Sequence, residues 1–243
     1  SLRLPLAEAL GALERAVARP GGFIPATAQL KVAVALPDLL APLLPSLVAA
    51  LHRQAPGLEV RIVPIPADLP TALAGDDCWL AIAPTQFGSD TTIARGLGSL
   101  HFGVVARASH PALRRNLTLK RWLSHPHVVV SVGNSTRNVV GRALAEAGLE
   151  RKIGLRVPSF LAGLVAVSTS DLLMNAPMPL GDDVTRLLGV ATRKLPLAVP
   201  AVKLSILWHE RMHHDPAHIW VRQQLYETVR AWLKPRGRRR EAV

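Results

Sequence analysis

The stretch Leu30-Lys31-Val32-Ala33-Val34-Ala35-Leu36, closed by Pro37-Asp38 and followed by an apolar-rich run from Leu39 to Gln54, decides the fold. The first block has the length and residue types of a buried strand, and the second has the length of a helix. Ala55-Pro56-Gly57 then turns the chain into a second strand, Leu58 to Ile65. A short helix from Leu69 to Ala74 leads through Gly75-Asp76-Asp77 into a third strand, Trp79 to Ala83. Strands and helices alternating at this spacing predict a parallel sheet with right-handed crossovers.

Toward the C-terminus the pattern starts again. Leu100 to Ala106 reads as a strand, Leu119 to Leu123 as a helix and His127 to Val132 as a strand. The loop Gly133-Asn134-Ser135-Thr136 opens a helix from Arg137 to Ala147. Strand Ile153 to Val157, helix Phe160 to Val167, strand Leu172 to Ala176 and a helix near Gly181 to Leu188 follow. Val202 to Trp208 is the last strand. Asp215-Pro216, an N-cap with proline at the first helical position, starts a helix that runs to about Leu233. Two α/β units in succession predict two lobes with a cleft between them. In such sheets ligands bind beyond the carboxyl ends of strands. That singles out Leu36, Pro37 and Asp38, the turn Pro84-Thr85, the loop Gly133 to Arg137, and Pro158-Ser159-Phe160.

Toward the N-terminus, Leu6, Leu10, Leu13 and Val17 recur at helical intervals and end at Pro20-Gly21-Gly22. This amphipathic helix needs an apolar partner, either a second chain or the chain's own lobe.

Composition narrows the class. At 243 residues, 49% hydrophobic and 4% aromatic, the chain can bury a sizeable core and is far from the composition of disorder. No window approaches the ~18 apolar residues of a membrane span, and the start has no secretory signal pattern. A single cysteine, Cys78, excludes an internal disulfide and a multi-cysteine zinc site, and fits a reducing, cytoplasmic compartment. The same cysteine reads as a packed residue, since no second thiol could resolve an oxidised one within the chain. The formal charge of +12 permits nucleic acid as a neighbour. Lys234, Arg236, Arg238, Arg239 and Arg240, opposed only by Glu241, form a terminal cluster of net +4, and the tail at 236–243 reads as a solvated terminus; the other Arg and Lys residues are scattered, and no helix carries a basic stripe.

Two motifs compete for attention. His209-Glu210-Arg211-Met212-His213 fits the zinc-hydrolase pattern H-E-x-x-H. That chemistry needs both histidines one turn apart on a helix. Here a strand precedes the motif and the next helix starts only at Asp215-Pro216, so no metal site and no catalytic residue is expected. His213, His214 and His218 read as polar residues around a helix start. In Gly133-Asn134-Ser135-Thr136-Arg137, glycine permits a tight turn, a hydroxyl can cap, and free helix N–H groups beside Arg137 favour an anion such as a carboxylate. The ordinary alternative is a cap with a surface arginine.

The run Phe23 to Ala33 resembles the passage from linker helix to first strand in LysR-type transcriptional regulators. Leu43-Leu44-Pro45, Ala55-Pro56-Gly57-Leu58, Asp76 to Ile82, Ser109-His110-Pro111-Ala112-Leu113, Ala143 to Gly148 and Val157-Pro158-Ser159-Phe160 follow in that family's order. Trp208-His209-Glu210-Arg211 with Asp215-Pro216-Ala217-His218 and Trp220 completes the match. The resemblance implies an α/β, two-lobed, type-2 periplasmic-binding-protein-like fold, each lobe a mixed, mostly parallel sheet flanked by helices. It implies a partial linker helix at 1–22, one lobe from 29–106 plus 208–235, and a second at 107–207, with crossings near Ala106 and Leu207. The implied function is effector sensing and oligomerisation, coupled to DNA by an N-terminal winged helix-turn-helix that nothing in this sequence matches. The implied partners are a small organic or aromatic carboxylate in the cleft and a second copy of the chain, with tetramers in the full-length protein. No cofactor is implied. The effector-binding residues carried over are Leu36, Pro37, Asp38, Thr85, Gly133, Asn134, Ser135, Thr136, Arg137, Ser159 and Phe160. Relatives place small hydroxyl residues where Leu36, Pro37 and Asp38 stand, and some have histidine at Arg137. A transport-type solute-binding protein shares the fold and is the alternative, followed by the zinc hydrolase.

Overall fold

The computed structural model describes residues 23–75, 77–131 and 139–234. The expected helix at 1–22, the loop Gly133 to Arg137 and the basic tail at 236–243 lie outside these residues. Strand β1 (Leu30–Ala35) pairs in parallel with β2 (Leu58–Val63) and β3 (Leu80–Pro84). Between β1 and β2 the expected single helix is two pieces, a 3-10 turn Asp38–Leu43 and helix α1 (Leu44–Gln54). Pro42 and Pro45 explain the break, because each removes a backbone donor that a continuous helix would use. Helix α2 (Leu69–Ala74) is capped by Asp68, whose carboxylate accepts from the Thr71 N–H at 3.2 Å.

Strand β4 (Thr92–Arg107) is far longer than the expected strand and changes partners along its length. Thr92 to Leu100 pair antiparallel with β9 (Val202–His209), and His101 to Arg107 pair antiparallel with β7 (Leu173–Met178) and β8 (Val190–Lys194). A bulge between Gly96 and Gly98 lies in the first half. Beyond β7 come β5 (His127–Val130) and β6 (Ile153–Val157), all three parallel. The strand order is β2-β1-β3-β9-β4-β7-β5-β6, with β8 on the side of β4.

The partners of β4 change at Leu100/His101. Strand β9 pairs wholly with β3 and the first half of β4. The sixteen residues of β4 are long enough for one half to pair with β9 and the other with β7 and β8.

Helix α3 (Leu119–Leu123) is capped by Thr118, and α4 (Val139–Glu146) and α5 (Phe160–Ser168) cover opposite faces of the second-lobe sheet. Helix α6 (Asp182–Leu187) precedes β8. Helix α7 (Pro216–Leu233) starts as expected, Asp215 accepting from the His218 N–H at 2.8 Å, and returns Val221, Leu225 and Val229 to the first-lobe core beside Leu47 and Leu51. None of the described helices is long and apolar enough to cross a membrane.

Candidate effector site in the inter-lobe cleft

The cleft opens where β3 ends, where β4 changes partners and where β9 begins. On the first-lobe side stand Pro84, Phe87 of the turn Thr85–Phe87, and Val202. On the second-lobe side stand Phe102, Val128, Val130, Phe160 and Asn175. Together they enclose a cavity of about 380 Å³. It adjoins an outer recess of about 680 Å³ bordered by Thr85, Gln86, Arg142, Glu146 and Lys203. Both volumes lie in the range typical of small-molecule sites.

One polar side chain inside this apolar enclosure has nothing to bind. Asn175 is only 9% exposed, and among the described residues neither its amide nitrogen nor its amide oxygen has a hydrogen-bond partner. It sits in β7, its backbone opposite Val104, with Met174 and Ala176 on either side packed into the core. Leaving such an amide unsatisfied costs roughly 1–3 kcal/mol for each group. A ligand carrying a donor and an acceptor would recover that cost.

Arg151 also lines the cavity. Burial, reinforced by the nearby Arg156 charge, lowers its guanidinium pKa to about 10, so it stays cationic at neutral pH. Arg142 borders both cavity and recess. The enclosure thus offers aromatic faces, one amide without a partner among the described residues, and positive charge among its lining residues, a combination suited to a planar molecule with a polar or anionic end.

The residues expected to form the site separate into distinct roles. Phe160 lines the cavity. Thr85 borders the recess, and its hydroxyl bonds to the Ser205 hydroxyl at 2.7 Å. Ser159 is the N-cap of α5, accepting from the Ala162 N–H at 3.2 Å. Leu36 is buried in the first-lobe core, and its N–H donates to the Val63 carbonyl. Pro37 opens the 3-10 turn. Asp38 turns away from the cavity to the head of α5, where its two oxygens accept from the Phe160 N–H at 3.1 Å and the Leu161 N–H at 2.6 Å. Sequence reasoning missed Asn175, Phe102, Phe87, Arg142 and Arg151. The one available signal was Asn175 itself, a lone amide in the apolar run Leu172-Leu173-Met174-Asn175-Ala176.

The H-E-x-x-H residues are not arrayed on a helical face. His209 ends β9 and accepts from the Arg211 N–H, Glu210–Met212 is a 3-10 turn, and the His213 ring stacks on Trp208. Among the described residues no three His, Cys, Asp or Glu side chains cluster to hold a metal. Cys78 is buried, with its thiol donating to the Leu80 carbonyl and its pKa raised by burial.

A family model described as the LysR substrate binding domain matches residues 26–230. The chain belongs to that family. The LysR substrate-binding domain therefore accounts for the two-lobed fold, and the family match favours neither a transport-type solute-binding protein nor a zinc hydrolase. Its relatives include the HTH-type transcriptional activator NahR of Pseudomonas putida, 28% identical over 225 residues that make up 92% of this chain and 75% of NahR. Among solved structures, a probable transcriptional regulator, PA0477 from Pseudomonas aeruginosa, superposes with a TM-score of 0.79 at 30% identity, covering 91% of this chain and 74% of that one. The effector-binding domain of QuiR in complex with shikimate shares the fold, with a TM-score of 0.64 at 13% identity over 84% of this chain and 99% of that one.

Proposed function

We propose that this LysR domain is a cytoplasmic, ligand-gated switch whose effector is a small molecule with an aromatic or other planar body and a carboxylate or similar polar end. The observation that carries the reading is Asn175, a buried amide with both hydrogen-bonding atoms unpaired beside Phe102 and Phe160. In this arrangement the body of the ligand lies between Phe87, Phe102 and Phe160, the amide binds its polar substituent, and its anionic end points toward Arg142 and Arg151. The loop Gly133-Asn134-Ser135-Thr136-Arg137 immediately precedes α4, on which Arg142 stands, and is proposed to complete the site. The shikimate bound by QuiR is a precedent for a cyclic carboxylate in this fold.

Signal transfer follows from the lobe boundaries, proposed here at Leu100/His101 and between Lys194 and Val202. A ligand shifts their arrangement by its difference in affinity for two states, typically about 1–3 kcal/mol. Homodimerisation is proposed on the two ends of the strand order. At one end β2 and α1 expose Ile62 and Val48. At the other β6 and α5 expose Ile153, Leu155, Leu161 and Val165. Unpaired edge strands with apolar faces are covered by pairing in stable proteins.

A thermal-shift screen of small aromatic and aliphatic carboxylates tests the site, run on the natural chain, Asn175→Leu and Arg137→Ala. At a hundredfold excess over Kd a ligand adds about 2.7 kcal/mol, a rise of about 5–10 °C for a domain of this size. A hit lost in Asn175→Leu supports the cavity. A hit retained there removes Asn175 from the site, and one retained in Arg137→Ala removes the loop arginine.

A further inference from the structure

Helix α5 begins with N–H groups that have no backbone partner within the helix. Three of them are filled within the chain. Ser159 takes Ala162, while Asp38, 122 residues earlier, takes Phe160 and Leu161 with separate carboxylate oxygens. A two-oxygen acceptor on adjacent N–H groups at a helix head is how proteins hold a free carboxylate or phosphate. Here the anion is covalently part of the opposite lobe.

The neighbouring residue reinforces the contact. In the 3-10 turn Asp38–Leu43, side chains three apart share a face. Leu40 and Leu43 enter the first-lobe core. Leu39 faces the other way and is buried in the second-lobe core among Val105, Val128, Leu164 and Leu180. On the same side Pro42 lies against Gly181, where an added Cβ would meet its ring at 3.5 Å. One short turn thus plugs two cores and neutralises the head of α5.

We infer that Asp38 is a tethered anion: it clamps the lobes through the head of α5 and closes that position to the carboxylate of an effector. The clamp stands on the two hydrogen bonds and on Leu39. The exclusion of an effector carboxylate rests on the cleft being the effector site, as proposed above. Specificity follows from it. An effector is then held by its ring, by Asn175 and by the arginines at the mouth, and not by the N–H groups of Phe160 and Leu161.

The test uses sodium acetate as the probe, titrated against matched sodium chloride while the melting temperature is followed. Asp38→Ala should melt about 3–6 °C lower than the natural chain, the usual size of a lost cap with its dipole interaction. Acetate should then restore part of that loss saturably, chloride should not, and the natural chain should respond to the two salts alike. Equal acetate responses in the natural chain and Asp38→Ala would overturn the inference. If Asp38→Ala does not fold, Asp38→Ser, which keeps a short polar side chain but cannot reach both N–H groups, decides by the same comparison. Adding Asn175→Leu to Asp38→Ala should leave the acetate response intact. Its loss there would place the acetate in the cavity and refute the tethered anion. Because acetate rescue uses no effector, a failed effector screen and a failed clamp remain separate results.

Discussion

Replacing Asn175 by leucine should make the unliganded domain more stable and deaf to its effector. The residue is only 9% exposed, and both amide atoms lack partners among the described residues. Removing a buried, unsatisfied amide recovers its desolvation cost, about 1–3 kcal/mol, and leucine adds apolar surface facing Phe102 and Val140, which also line the cavity. Water reaching the cavity offsets part of the amide's cost in the natural chain, which sets the lower end of that range. At about 2–4 °C for each kcal/mol in a domain of this size, the melting temperature should rise by at least about 2 °C. Urea unfolding should show the midpoint raised with an unchanged slope, because the surface exposed on unfolding hardly changes.

The same variant should lose the ligand-induced shift of any effector found for the natural chain. A domain that becomes less stable while its ligand response persists would show that Asn175 is satisfied in solution. The cavity would then not be waiting for a hydrogen-bonding ligand. Stability gained with response lost is the signature of a group held in place for binding and not for folding.

Other expectations follow from the same structure. His127 is fully buried with its Nε2 on the Trp122 carbonyl, and burial lowers its pKa to about 4. Since the unfolded chain takes up that proton near pH 6.5 and the folded one does not until about 4, stability is complete above 6.5. It should fall by about 3 kcal/mol as pH drops from 6.5 to 4. His127→Gln, which can still donate to Trp122, should remove one proton's worth of slope from acid melts, leaving the smaller contributions of His125 and His218, both shifted downward mainly by burial. For the proposed dimer, Val165→Glu or Ile153→Glu should halve the mass measured by light scattering, and an unchanged mass would rule those faces out. Phe102→Ala should weaken effector binding about 10-fold or more through lost ring contact, read by calorimetric titration.

Much of the architecture was legible because its signals are local. The strand at Leu30, the Asp215-Pro216 helix start and the repeated α/β rhythm each follow from short-range composition and capping. The misses have long-range causes. The first half of β4, Thr-Ile-Ala-Arg-Gly-Leu-Gly-Ser, reads as a loop because Gly96 and Gly98 are poor strand formers, and its pairing with β9 over a bulge is what makes it a strand. Strand β8 is polar enough along Thr192, Arg193 and Lys194 to pass for a connection, and only β4 gives it partners. Asp38 was recognisable as a cap residue, but the helix it caps begins at Phe160. Asn175 became meaningful only when Phe102, Val128 and Phe160 closed around it.

The position of the cavity relative to the proposed crossings would let binding there reach the rest of the protein. Pro84, Phe87 and Val202 belong to the first lobe and Phe102, Val128, Asn175 and Phe160 to the second, so a ligand touches both sets only at one lobe separation. With the lobe boundaries proposed above, the chain passes between lobes along β4 and again before β9, which pair with each other, so a relative tilt of the lobes would bend adjacent backbone segments and need not break either sheet. Opening that uncovers ~60 Å² of apolar contact, less than one ring face and edge, costs about 1.5 kcal/mol, a tenfold bias between states. That is within the usual range of allosteric coupling. Asp38 and Leu39 hold the lobes from the opposite side of Phe160, so the effector does not have to create the closed arrangement from nothing. It has only to tip a balance that the chain's own carboxylate already brings near closure, and an Asp38 variant should therefore need more effector for the same response.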